Sequence, residues 1–115
     1  MATEFDYEQL DSISGGDAEF EREVIEEYIS SAPRDMARLR AAFAAGDAVG
    51  TCSIAHALKG SSATLGAKGF AATGLVIEQA GKQGEIATAR QTIDRFEAEL
   101  GEVIGLMRQR IAKAA

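Results

Sequence analysis

Apolar residues recur along this 115-residue chain at intervals of three and four, and no stretch alternates with the period of two that a half-buried strand requires. The clearest run lies near the C-terminus. There Ile86, Ala89, Ile93, Phe96, Leu100, Val103, Met107 and Ile111 follow one face through several turns, while Arg90, Asp94, Arg95, Glu99 and Glu102 are expected to turn away from it. This predicts one long amphipathic helix. Upstream, Phe20, Val24, Tyr28, Ala32, Met36, Leu39 and Phe43 predict another, opened by Asp17 as N-cap with Glu19 and Glu21 well placed against the helix dipole. Pro33 should kink or divide it.

Gly46 followed by Asp47 reads as a stop and a new N-cap, so a third helix is expected from about residue 48 to Leu65, ending at Gly66. A fourth, from about Ala67 to Lys82, carries Phe70, Gly74, Ile77 and Gly81 at spacings of four, three and four before Gly84 closes it. The segment FDYEQLDSI is a candidate for a short extra N-terminal helix. Connections this short place sequential helices antiparallel. The expectation is an all-α, up-and-down four-helix bundle forming a single domain over residues 1–115.

Composition narrows the choice of partners. Hydrophobic residues make up 46% and charged residues 26%, the balance of a chain that folds by itself. The net charge of -6 would repel a phosphate backbone on average, and no strong basic patch offsets it, so no nucleic acid is expected as partner. No run approaches the roughly 20 apolar residues of a membrane span, and MATEFDYEQL lacks a basic n-region and an apolar h-region. A cytoplasmic protein without membrane contact is the expectation. Cys52 stands alone, which removes an intramolecular disulfide and a Cys-rich zinc site together.

The chemistry concentrates in residues 55–67, AHALKGSSATLGA, which hold the chain's one histidine. At about 100° per residue, Ala48, Thr51, Ala55, Leu58, Ser62 and Leu65 form the core stripe of the third helix, and His56 falls outside it. Its own face comprises Cys52 one turn before, Lys59 and Gly60 one turn after, and Ala63 beyond. A partner could approach this imidazole closely. Glycine inside a helix costs about 1 kcal/mol relative to alanine, and steric clearance over His56 is one reason to keep Gly60. Lys59 is of little use to a general base but would partly neutralise a phosphoryl group on the ring. One ring nitrogen is left for in-line attack while a hydrogen bond to the other fixes the tautomer.

Other chemistries fit poorly. Ser61 and Ser62 turn away from His56 and read as small packing residues. Cys52 and His56 have the i, i+4 spacing of two metal ligands but lack a third, and no GxxxxGK or GxGxxG loop occurs. The proline that follows the histidine in kinase dimerisation domains is also missing.

HALKGSSATLGA, from His56 to Ala67, resembles the signature of histidine-containing phosphotransfer (HPt) domains of multistep two-component phosphorelays. The resemblance implies that His56 accepts a phosphoryl group from a receiver-domain aspartate or a kinase and passes it to another receiver aspartate. It implies charge balance by Lys59, partner clearance at Gly60, and Glu78 on the next helix as the acceptor that holds the other ring nitrogen. Ala71, Leu75, Glu78 and Lys82 share the face from which such an acceptor could reach His56. Cys52, Gly60, Ala63 and Leu75 would form the docking surface. Response-regulator receivers and a sensor or hybrid histidine kinase are the implied partners of a monomeric phosphocarrier that is not an enzyme in the turnover sense. It would need no cofactor of its own, with Mg2+ in the partner receiver. The alternative is a helical adaptor that binds receivers or other signalling partners without carrying phosphate.

Overall fold

The structure, a computed structural model, describes residues 4–114. Five α-helices follow in order: α1 (Tyr7–Ser14), α2 (Ala18–Ala44), α3 (Ala48–Thr64), α4 (Lys68–Lys82) and α5 (Arg90–Ala114). Among the described residues there is no strand, and no helix is long and apolar enough to cross a membrane. The four long helices form an antiparallel bundle, and α1 is the expected short addition.

Aspartates start the first three helices. Asp6, Asp17 and Asp47 each accept a hydrogen bond from a backbone N–H three residues on, that of Gln9 at 3.2 Å, Phe20 at 3.0 Å and Gly50 at 2.8 Å. At the far end of α3, Gly66 takes a φ of 101°, and the Ala67 N–H returns to the Ser62 carbonyl at 2.9 Å. The N-terminal segment is pinned to this turn by the Asp6 N–H, which donates to the Gly66 carbonyl at 2.7 Å, and by Lys68, which lies 3.0 Å from Asp6. Helix α1 thereby crosses the end of the bundle where α3 stops and α4 starts, and buries Leu10 in the core.

The core runs along the bundle axis through Ile25, Met36, Leu39, Leu58, Phe70, Ile77, Ile93, Phe96, Val103 and Met107. Phe70 and Phe96 stack with ring centroids 4.0 Å apart, joining α4 to α5. Ser62 belongs to this interior as expected, and its Oγ lies 2.6 Å from the buried Tyr28 hydroxyl. Ser61, by contrast, is exposed.

Three further expectations need correction, and that for Pro33 is narrowed. Phe20 is exposed, and the inner stripe of α2 begins instead with Glu21 and Ile25. The reason lies in α5: Arg110 grips both oxygens of Glu21, at 2.8 and 3.0 Å, and also bonds Asp11, so a charged residue is buried where an aromatic one was expected. Pro33 does not divide α2; it faces solvent, where water can serve the carbonyl that loses its donor. Glu99 is buried and not turned away, with Arg95 one turn earlier folded onto its carboxylate at 3.2 Å. Residues Ile86–Ala89 form a 3₁₀ turn, so the last α-helix begins at Arg90 and not at Ile86.

The tightest packing joins α3 to α4. A Cβ added at Gly81 would stand 2.8 Å from Cys52 Cβ and 2.9 Å from the Ala48 carbonyl oxygen, and one at Gly74 would stand 3.3 Å from Lys59 Cβ. At Gly81 a methyl group would press on the α3 backbone, and at Gly74 it would crowd the Phe96 and Lys59 side chains. Gly81→Ala is therefore expected to destabilise the protein by about 1–3 kcal/mol through overpacking, despite the helix-propensity gain of about 1 kcal/mol. Urea denaturation measures it, and a midpoint equal to or above the parent's would show that α3 and α4 separate here freely.

Candidate functional site

Midway along α3, His56 points out of the bundle with 67% of its side chain exposed. Its neighbours in sequence, Ala55 and Leu58, are fully buried, so the backbone that carries the ring is anchored while the ring stands in solvent. Across the groove, Glu78 on α4 is buried, with 5% of its side chain exposed, yet its carboxylate reaches the same edge. Close approach at Gly74 and Gly81 is what brings the two helices within reach.

The carboxylate makes three contacts. Glu78 Oε2 lies 3.1 Å from His56 Nδ1, Oε1 lies 2.7 Å from Lys59 Nζ, and Lys82 Nζ stands 3.6 Å from Oε2. The Lys59 ammonium holds the Glu78 carboxyl below its ordinary value; burial opposes this, and the His56 hydrogen bond adds to the lowering. An ionised Glu78 accepts the Nδ1–H of a neutral imidazole. The lone pair then resides on Nε2, and the exposed ring offers a nucleophile of fixed orientation.

The structure thus brings together His56, Lys59 and Glu78 from the sequence reading. Gly60 is exposed and a Cβ there would meet nothing within 4 Å, so its absence serves no internal packing. Of the other expected docking positions, Cys52 is half-buried against Gly81, and Ala63 and Leu75 are exposed. Two features escaped the sequence reading. Lys59 directs its ammonium to the carboxylate, which spacing to His56 alone could not show. Lys82 is a second cation on Glu78; its i+4 spacing was the available signal. Among the described residues, no group of three or more His, Cys, Asp or Glu side chains is placed to hold a metal ion.

Charge is unevenly distributed around this face. From Ala48 to Gly84 the chain carries three lysines and one glutamate, within a protein of net charge -6. The α3–α4 hairpin is thus net positive within an acidic chain.

The family model of the Hpt domain matches residues 23–106. The fold is similar to the crystal structure of histidine-containing phosphotransfer protein B from Pseudomonas aeruginosa PAO1, with a TM-score of 0.91, 26% sequence identity and 98% of each chain covered. No curated protein gives a match.

The lowered Glu78 pKa fixes the sign of a pH effect. Its contribution to stability is present in full above the ordinary value of 4.5 and is lost as the pH falls through the lower folded value. Glu78→Gln should therefore flatten the dependence of stability on pH between the ordinary value of 4.5 and the lower folded one. Urea midpoints measured through the acid range test this, and a mutant curve parallel to the parent's would show that Glu78 does not contribute to acid unfolding.

Proposed function

Since the chain belongs to the Hpt domain family and is a phosphorelay histidine phosphotransfer protein, we propose that His56 is the residue that carries the phosphoryl group. The observation that supports this most directly is the Glu78–His56 hydrogen bond, which occupies Nδ1 and leaves Nε2 as the exposed nucleophile. In the forward step the Nε2 lone pair forms the N–P bond while the P–O bond to a receiver aspartate breaks and its electron pair leaves with the carboxylate. The ring, still protonated on Nδ1, becomes cationic. Glu78 stabilises that charge because it is already ionised, oriented and shielded from water. The return step reverses these bond changes.

Receiver domains and a histidine kinase are the partners of this reading. The acidic pocket and the Mg2+ are assigned to the receiver, since such transfers depend on positioning and charge neutralisation shared between two proteins. The chain acts as a phosphocarrier, with phosphate held covalently on its own side chain. Cys52, Gly60, Ala63 and Leu75 form the contact surface around His56, and the bare surface at Gly60 lets the partner come close.

Two variants test the assignment. His56→Gln should take no acid-labile, alkali-stable label from a phosphorylated receiver while its helical content stays at the parent level, because an exposed ring contributes little to the core. A labelled His56→Gln protein would move the acceptor elsewhere, and a parent that binds the receiver without taking label would favour an adaptor. Gly60→Gln should melt no lower than the parent, since a side chain there meets open space and glycine costs a helix about 1 kcal/mol. It should also transfer markedly more slowly, because its side chain crosses the partner's approach. Normal transfer in a stable Gly60→Gln protein would show that no partner closes over this turn.

A further inference from the structure

The two lysines at Glu78 differ in what each would lose by moving. Lys59 Nζ is 2.7 Å from Oε1, its side chain is 25% exposed, and its Cβ abuts the bare backbone of Gly74. Withdrawing it would leave a charged oxygen of a buried carboxylate without its cation, a severe penalty at such a site. Lys82 Nζ is 3.6 Å from Oε2, beyond hydrogen-bond distance, and its side chain is 64% exposed. It could leave without stranding any buried group. Lys68, the remaining lysine between Ala48 and Gly84, lies at the end of the bundle in an ion pair with Asp6.

Position completes the contrast. Lys82 approaches the same carboxylate oxygen as His56 Nδ1, and both side chains are largely exposed. Contact between Gly81 and Cys52 sets the last turn of α4 against the turn of α3 that precedes His56. A lysine offers three donors on a flexible four-carbon stem, suited to following a group that arrives and departs. Before transfer the cluster of Lys59, Lys82 and Glu78 carries one surplus positive charge. Transfer adds a positive charge on the ring and negative charge on the phosphoryl oxygens, and of the two lysines only Lys82 is free to turn toward those oxygens without leaving a buried group.

We propose that Lys82 is the cation that meets the phosphoryl group on His56, and that Lys59 is a positioning residue that fixes Glu78 and, through it, the ring. This division of roles rests on His56 being the phosphocarrier.

Phosphoramidate provides a probe that needs no identified partner: Nε2 forms the N–P bond, the donor's P–N bond breaks, and ammonia leaves. At low ionic strength Lys82→Gln should load His56 about two- to fivefold more slowly than the parent, as expected for one screened surface charge, and the gap should close in high salt. Lys82→Arg should restore the rate. Nitrogen-15 shifts of the unphosphorylated ring should show the Nδ1–H tautomer unchanged in Lys82→Gln and mixed with the other tautomer in Lys59→Gln. Parent-rate loading by Lys82→Gln at low salt, or an undisturbed tautomer in Lys59→Gln, overturns the division of roles while leaving the carrier intact. A parent that takes label neither from phosphoramidate nor from a phosphorylated receiver overturns the carrier reading and this one with it.

Discussion

The short distance between the backbones of α3 and α4 is the constraint on which the site depends. Any residue larger than glycine at position 81 would push against Cys52 and the Ala48 carbonyl, and at position 74 against Lys59 and Phe96. Held this close, a glutamate on one helix spans to a histidine on the other with its carboxylate still inside the protein wall. With the helices further apart, the carboxylate would have to extend through water, where its attraction for the imidazole would be screened.

Burial of Glu78 matters for a related reason. A solvated carboxylate must reorganise its water as charge develops on the ring, whereas one already held by Lys59 at 2.7 Å is preorganised. The lysine keeps the carboxyl ionised, so His56 finds an acceptor and not a competing donor. Anchoring by Ala55 and Leu58 limits movement of the backbone beneath the ring. His56 is thus free on its reactive side and constrained everywhere else.

Much of this was legible from residue order alone, and the reasons differ by element. Asp17 and Asp47 mark helix starts because a cap acts on N–H groups within a turn, and Gly66 marks a stop because its φ of 101° strongly favours glycine. The inner stripe of α3 followed periodicity from Thr51 to Leu65 for the same local reason. Phe20 misled because hydrophobicity says nothing about a partner 89 positions away, and Arg110 makes the Glu21 side of α2 the inner one. Glu99 hides behind Arg95, a pairing that two charges on a polar face do not announce. At the site, His56, Gly60 and Glu78 were indicated by the motif and the face that resembles its family. The allegiance of Lys59 to Glu78 required knowing how closely the two helices approach.

His56 and Glu78 are only 22 positions apart, within one helical hairpin. Helices α2 and α5 complete the core around that hairpin, and they are fastened to one another by Arg110–Glu21 and by Arg40 with Asp94 and Glu97. Reactivity and architecture are therefore written in separate parts of the chain. The solvent faces of α2 and α5 can therefore change in sequence without altering the Glu78–His56 pair, because neither helix supplies a residue to it.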